Sequence, residues 1–584
     1  MARVNDEVEA LLLEYADLIA ITGGDAFRQR AYERAARGVR GHPEDVSRLD
    51  AADLRAVPGV GRSMADKIEE YLRTGRIAAL DRARAAVPQG VRRLMAVPGL
   101  GPKKAMALYR ERGIASVDQL AEAIARDGLK GLAGFGPGTV RGILRGVETL
   151  RSAGGRLLLD AATGLADEAV AAVSAAPGCE RCAFAGSLRR MRETVGHIDV
   201  LAAARDPEPL IAAFTAMPSA AETAGRGPAE ASVRTADGFG IDLCVLPPEA
   251  WGAGLLHRTG SRAHHARLRA LAADAGLRLS WDGLFDAAGG DRVAAGTEEE
   301  VYARLGLPWI APPLREDRGE VEAALRGAPH RPVTVEDIRG DLHTHTDLTD
   351  GLASLPDMVA AGAARGYSYY AVTDHAPMLR MQRMTEEKIL AQRERLRALA
   401  GRHRGLALLH GTELNIGPDG GVDWPDAFLA GFDVCVASVH SHFGLDRAAQ
   451  TRRLIAACEN PYVDIIGHLT TRKIGRREGI DVDLDAVFAA CARTGTAVEV
   501  NGHPNRLDLR DEHVLLARRH GVRFAVDSDA HSTGELGTMR WGVGTAQRGW
   551  LTTEDVINTW PLSRLGRFLR APGRAPLGRA RPGA

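Results

Sequence analysis

The sequence predicts a multidomain α and α/β protein, with an all-helical N-terminal region, a mixed α/β middle and a C-terminal (β/α)7-like barrel. Three observations predict it. At 584 residues the chain is well past the ~250–300 at which one hydrophobic core stops growing, so several domains are required. A Gly-rich turn recurs, with Val57-Pro-Gly-Val-Gly61 followed 40 residues later by Val97-Pro-Gly-Leu-Gly101 and then by a looser Gly134-Phe-Gly-Pro-Gly138. From Gly340 onward, apolar strand-like runs alternate with helical stretches, the pattern of βαβ units around a parallel sheet or barrel.

Residues 1–80 and 81–150 read as two units of short amphipathic helices, each with one VPGxG turn. Between Arg76 and Leu150, 13 Lys and Arg stand against 6 Asp and Glu, in a chain whose 75 basic and 75 acidic residues balance overall. These turns suit a helix-hairpin-helix. Gly59, Gly61, Gly99 and Gly101 let backbone N–H groups at a helix N-terminus approach a phosphate, and Lys103 follows the second turn. Such contacts bind DNA without reading its bases. Lys67 is the only lysine in the first 102 residues of a chain with 6 Lys and 69 Arg. That makes it a candidate Schiff-base nucleophile, beside the simpler reading of a solvated helix lysine.

Residues 151–310 turn to mixed α/β, with strands expected at 182–185, 198–202 and 240–246. This stretch carries Gly186-Ser-Leu-Arg-Arg190, Glu193-Thr-Val-Gly-His-Ile-Asp199, Ile241-Asp-Leu243 and Thr259-Gly-Ser261. Cys179-Glu-Arg-Cys182 is a lone CxxC, and without a second pair it reads as two ordinary residues ahead of a strand. Residues 311–339, with prolines near both ends, read as an inter-domain linker holding one helix. The barrel follows at 340–570, and the Pro/Gly/Arg-rich 571–584 read as a disordered tail.

The barrel holds the strongest chemical signal. Seven expected strands end in residues of metal-ligand type: Asp341-Leu-His-Thr-His345, Tyr370-Ala-Val-Thr-Asp-His375, Leu408-Leu-His-Gly-Thr-Glu413, Val434-Cys-Val-Ala-Ser-Val-His440, Ile465-Ile-Gly-His468, Val498-Glu-Val-Asn501 and Phe524-Ala-Val-Asp-Ser-Asp-Ala-His531. Alternation puts His343 and His345 on one side of their strand, and does the same for Asp529 and His531 if the strand persists that far. A histidine at one strand end is usually a satisfied polar residue, but that reading fails when the pattern recurs at seven. The candidates are His343, His345, Asp350, His375, Glu413, His440, His468, Asp529 and His531, and 13 of the 18 histidines lie at or after His330. Imidazole mixed with carboxylate and no thiolate suits Zn, Mn or Fe. Nine ligands exceed the need of one tetrahedral ion, so two or three divalent ions with Glu413 as a bridge fit better. Such clusters activate a water and hold both oxygens of an in-line phosphoryl displacement.

These segments resemble the PHP (polymerase and histidinol phosphatase) domain, down to GDLHTHTDLTDG, VTDHAP, GTELNI, SVHSHF, GHLTTR and DSDAHS. The middle motifs resemble a family X DNA polymerase, and NDEVEALLLEYADLIAITGGDAFRQRAYERAAR at the N-terminus agrees. The architecture over residues 4–570 is similar to that of a bacterial family X DNA polymerase with a PHP exonuclease. The resemblance implies an 8-kDa-like helix-hairpin-helix domain at 1–80, a fingers-like subdomain at 81–150, and a nucleotidyltransferase-like palm and terminal subdomain at 151–310. It implies a trinuclear site in a distorted (β/α)7 barrel built by all nine candidates, with Mn²⁺ or Zn²⁺. It further implies Ser187 and Arg190 on nucleotide phosphates, Asp199 and Asp242 on Mg²⁺ or Mn²⁺, and Lys67 at a lyase position. Arg472 and Arg506 stand where phosphate contacts are expected, or are solvated or salt-bridged arginines.

The chain departs from the family at one carboxylate. The family's Gly-Asp-Ile-Asp reads Gly196-His-Ile-Asp199 here, and imidazole is neutral and cannot bridge two Mg²⁺ ions. Nearby, His257-Arg258 replace an aromatic pair, His265 an Asn and Cys244 an Arg. The expectation is a DNA-repair enzyme acting mainly as a 3′-5′ exonuclease on gapped or nicked DNA, extending to abasic or blocked 3′ ends, with synthesis from dNTPs weak or lost. Its rivals are an active gap-filling polymerase with a proofreading barrel, a histidinol-phosphate-type phosphatase and a purely structural DNA-binding protein. No run approaches ~18 apolar residues and the N-terminus lacks a signal-peptide layout, so a monomeric, cytoplasmic, nucleoid-associated protein without a membrane span is expected.

Overall fold

In a computed structural model of the chain, the Gly-rich repeat folds as two uncapped helix starts on one helical body. The structure describes residues 4–569 apart from 23–24, 43, 88, 96, 98–99, 127, 154, 328–329 and 380–381; Gly99 and the tail expected at 571–584 lie outside them. The helices Val4–Ile21 and Ala26–Arg40 pack together, and the two units drawn at 1–80 and 81–150 share one hydrophobic core running from Val8 to Val147. Gly61 precedes the helix Arg62–Thr74 and Gly101 the helix Pro102–Arg112, and neither start has a side-chain cap. The first N–H groups of both helices therefore have no capping side chain to accept from them. A Cβ on Gly61 or Gly101 would meet nothing within 4 Å, so the space beside each of these two glycines is open. Gly59 is constrained differently: its φ is +82° and it lies against Arg34 and Ala35.

The central region is a five-stranded sheet of β1 (Arg181–Phe184), β2 (Ile198–Ala203), β3 (Glu222–Arg226), β4 (Glu230–Arg234) and β5 (Gly240–Leu246), in the order β1-β2-β5-β4-β3. Only β2 and β5 run parallel, with Asp199 opposite Asp242. The helices Leu159–Ser174 and Glu208–Thr215 add to its core, which also takes in Leu507 and Trp541 from the C-terminal region. After it, the helices Trp251–Thr259 and Arg262–Asp274 and a three-stranded antiparallel sheet build a separate small core.

The linker expected over 311–339 is packed at both ends. Leu314, Val321 and Ala324 belong to the small core, because the two prolines build the 3-10 turn Pro312–Leu314 against it instead of leading the chain away. Val333 sits in the barrel core, and its N–H donates to the Leu551 carbonyl at 2.9 Å. The connection is confined to the stretch between Leu325 and Val333.

The C-terminal region is a parallel sheet of seven strands in chain order: β6 (Gly340–Asp341), β7 (Tyr369–Val372), β8 (Ala407–Asn415), β9 (Val434–Ser438), β10 (Ile465–Ile466), β11 (Ala497–Asn501) and β12 (Phe524–Asp527). A parallel bridge between Thr344 and Ala530 joins the first and last of them, so the barrel is nearly closed. The strands are buried on both faces, as parallel strands wrapped by helices are. The barrel docks on the central region through Arg472 to Glu193 at 2.6 Å, and on the segment packed against the small core through Arg548 to Glu316 at 2.7 Å and Asp511 to Arg318 at 3.2 Å. Among the described residues, no helix is long and apolar enough to cross a membrane.

Candidate metal centre

The nine barrel candidates meet at one mouth. His343 and His345 follow β6 with ring centroids 5.1 Å apart. Asp529 and His531 lie past the end of β12, and Asp529 has a φ of +54°, so strand alternation does not place them. A turn does, with His531 Nδ1 2.8 Å from the Asp529 carbonyl.

Glu413, at the end of β8, is the hub. Its Oε1 stands 3.0 Å from His468 Nε2, 3.2 Å from His440 Nε2 and 3.6 Å from His343 Nε2. Its Oε2 stands 2.8 Å from His375 Nδ1 and 3.7 Å from His345 Nε2. Asp529 Oδ1 is 3.3 Å from His345 Nε2 and 3.6 Å from His343 Nε2, while Asp350 Oδ1 is 3.3 Å from His375 Nε2 and 3.4 Å from His531 Nε2. Three overlapping sets, His345/Asp350/His375/His531, His343/His345/Asp529 and His375/Glu413/His440, each keep their donor atoms within 4.8 Å of one another. His343 Nε2, both nitrogens of His345, Asp350 Oδ1 and Glu413 Oε2 are buried without a hydrogen-bond partner. An unmet buried polar atom costs about 1–3 kcal/mol. Several aimed at one centre fit a site built for divalent cations.

Among the protein groups alone, charge is divided sharply. Burial would raise the Glu413 carboxyl, but His440, His375 and His343 hold it well below the usual carboxylate range. Burial works against charge on His375 too, yet Glu413 and Asp350 lift it to about 10. Burial pushes His345 down to about 4 and His468 to about 3, helped by His531 and His375 in the first case and by Arg506 in the second.

A supporting layer holds these side chains. Glu499 Oε1 accepts from His343 Nδ1 at 2.6 Å, Asn415 Oδ1 lies 2.8 Å from His440 Nδ1, and Asn501 Nδ2 donates to Asp529 Oδ2 at 3.0 Å. Such partners fix ring orientation and tautomer. Glu499 and Asn501 fall in one of the seven strand ends of metal-ligand type but outside the nine candidates; their signal in the sequence is two polar residues two apart in an otherwise apolar strand. Arg506 reaches the rim, its Nε 3.8 Å from Asp529 Oδ2. Beside it, burial with Arg506, Arg477 and Arg476 pushes the Lys473 ammonium down to about 8. Arg472 is salt-bridged, with Nη2 donating to Glu193 Oε2 at 2.6 Å and to the Leu507 carbonyl at 2.5 Å.

On the central sheet, Asp199 and Asp242 are brought together with His197. Asp199 hydrogen-bonds the His197 imidazole and holds it above its ordinary value. Arg190, expected on nucleotide phosphates, is engaged elsewhere: it donates to the Thr259 carbonyl, and its Nε is 3.1 Å from Glu316 Oε1. Ser187 lies in the short helix Gly186–Arg189 at the end of β1. Lys67 is half-buried, and its Nζ donates to Ser63 O and Oγ at 2.8 Å, one turn back along its own helix. Lys103 is exposed beside the open turn at Gly101. Cys179 and Cys182 are free thiols and join no metal-binding grouping among the described residues.

Family models match four stretches of the chain: Helix-hairpin-helix domain over residues 3–77, SAM-like Helix-hairpin-helix tandem over 91–149, DNA polymerase beta thumb over 254–316 and PHP domain over 341–503. A Bacillus subtilis protein described as DNA polymerase/3′-5′ exonuclease PolX is 33% identical over 567 residues, 97% of this chain and 99% of that one. A probable phosphatase of Thermoanaerobacter sp. (strain X514) is 28% identical over 246 residues, 40% of this chain and 95% of its own length. A probable phosphatase of Edwardsiella ictaluri is 30% identical over 244 residues, again 40% of this chain and 95% of its own.

Proposed function

The chain belongs to the family X DNA polymerases that carry a PHP domain, and on that premise we propose that it acts mainly as a metal-dependent 3′-5′ exonuclease in DNA repair, on gapped or nicked DNA. The observation that carries the reading is the set of buried, unpartnered imidazole and carboxylate atoms converging on Glu413. Two or three Mn²⁺ or Zn²⁺ ions bound there would supply an activated water and neutralise charge on the phosphodiester. Glu413 lies between the two sets of imidazoles, Glu499 orients His343, and Asn501 keeps one oxygen of Asp529 engaged so that the other faces the centre. Arg506 and Lys473 form a cationic rim where the scissile phosphate would sit. The open turns at Gly61 and Gly101 hold the DNA backbone and leave sequence unread. The helical modules make a DNA end a better substrate than a soluble phosphomonoester. The barrel-only relatives described as phosphatases fit an extension to blocked or abasic 3′ ends.

Templated synthesis is proposed to be weak or lost, because His197 replaces a carboxylate and Arg190 is tied to Thr259 and Glu316. On the rival reading the protein fills gaps and the barrel proofreads. A 5′-labelled primer in a one-nucleotide gap, incubated with Mn²⁺ with and without nucleotides, separates the two. Shortening in both lanes, lost in His343→Ala, supports the exonuclease; extension only with nucleotides would refute the loss of synthesis. Shortening that survives His343→Ala would refute the barrel as its source. Arg506→Ala should lower kcat/KM by about 10–100-fold, the cost of one charge-assisted hydrogen bond to phosphate, with the bound-metal count unchanged. Steady-state kinetics with parallel metal analysis checks this.

A further inference from the structure

Among the described residues, one grouping of metal-binding side chains lies outside the barrel: His197, Asp199 and Asp242, with donor atoms within 4.8 Å of one another. The two carboxylates face each other across β2 and β5, and His197 immediately precedes β2. His197 Nε2 lies 3.2 Å from Asp199 Oδ2. Two ligands at about 2.0–2.2 Å from one tetrahedral ion stand about 3.4 Å apart, so this spacing suits a shared ion. Gly186, with φ +62°, clears the approach, since a Cβ there would collide with Asp199 Oδ2. The other oxygen of Asp199 is differently placed: Oδ1 faces Arg258 Nη1 at 3.9 Å, and Arg258 also hydrogen-bonds Cys244.

We propose that His197, Asp199 and Asp242 form a single-ion site for a first-row transition ion such as Mn²⁺, Co²⁺ or Zn²⁺, which Mg²⁺ does not fill, and that Arg258 replaces a second ion. A pair of Mg²⁺ ions needs anionic oxygens that bridge, and imidazole offers one nitrogen to one metal. Imidazole favours the later ions over Mg²⁺. The side of Asp199 on which a second cation would sit carries a guanidinium. Two carboxylates balance one divalent ion, and the Arg258 charge remains to draw a phosphate group, of a DNA end or of a nucleotide, as the next ligand. His197 is 57% exposed, so the site opens to solvent on that side.

The proposal is independent of the barrel chemistry, and its test is arranged accordingly. The full-length protein is stripped with chelator, reloaded with Mn²⁺ and dialysed, and bound metal is counted by mass spectrometry alongside electron paramagnetic resonance. His197→Ala and Asp242→Asn should each hold about one Mn²⁺ fewer per chain than the wild type. The same difference should persist in a His343→Ala background, so failure of the barrel reading leaves the result interpretable. A large excess of Mg²⁺ should leave this ion in the wild type and displace it from His197→Asp, a variant that keeps the carboxylate frame. Equal metal counts in the wild type and both loss variants would overturn the site. Equal displacement by Mg²⁺ in the wild type and His197→Asp would overturn its selectivity.

Discussion

Glu413→Gln is expected to abolish hydrolysis by the barrel, lowering the rate by about 10³-fold or more. Changes in the layer behind a metal site typically cost about 10–100-fold, and Glu413 stands in front of that layer. The variant keeps side-chain volume and removes one charge. That charge faces five imidazoles, those of His343, His345, His375, His440 and His468, at 2.8–3.7 Å. A neutral amide offers one oxygen and two N–H groups to these imidazoles, so the two sets of histidines would lose the carboxylate they both face and any cation held there would lose its charge. Two measurements separate loss of metal from loss of fold. In chelator, the thermal transition of the variant should lie close to that of the wild type. On adding Mn²⁺ the wild-type transition should rise, because a ligand bound only by the folded state stabilises it, and that of the variant should not. Hydrolysis within tenfold of wild type with an unchanged metal count would show that the Glu413 charge is not needed to hold the ions.

Where the sequence was legible, position within a strand carried the information. His343, Glu413 and His440 sit at or just past the ends of β6, β8 and β9, and the barrel topology brings such ends together whatever the loops do. Asp529 and His531 reached the same mouth by a different local route: a left-handed residue turns the chain where alternation assumed a strand. What stayed hidden was set by partners distant in sequence. The family resemblance of the Gly-Ser-Leu-Arg-Arg motif implies a phosphate contact for Arg190, and nothing in that motif signals that Glu316, 126 residues away, pairs with its Nε. Arg472 next to a ligand loop looks like a phosphate contact until Glu193, 279 residues earlier, pairs with it. Glu499 was hidden for a third reason, since a carboxylate two residues before a strand end can ligate a metal or orient a ligand, and only the 2.6 Å contact to His343 Nδ1 decides. The prolines at 312 and 313 signalled a break in regular structure and carried no information on whether the following chain left the core.

The largest expected loss of stability lies in the small core after the central sheet, at Glu298. This carboxylate is 4% exposed and accepts from Arg189 at 2.8 and 2.9 Å, from Arg315 at 2.6 and 3.0 Å and from Trp309 Nε1 at 3.0 Å. Arg315 is fully buried, so its charge has no solvent to fall back on. Removing one partner of a buried pair strands the other, at a cost of about 3–5 kcal/mol. Glu298→Gln should therefore lower the transition of this unit by roughly 10 °C in calorimetry, while Mn²⁺ still raises the barrel transition. The pH dependence has a definite sign. Burial would raise the Glu298 carboxyl, but Arg189 and Arg315 override it and hold the group well below the usual carboxylate range. A carboxyl depressed in the folded state stabilises fully above its unfolded value of about 4.3, and that contribution is lost as pH falls toward the folded value. The gap between the wild type and Glu298→Gln should thus be constant from neutral pH down to about 5 and narrow at lower pH. A gap that stayed constant at lower pH would mean that the loss comes from packing, with the charge of Glu298 making no contribution.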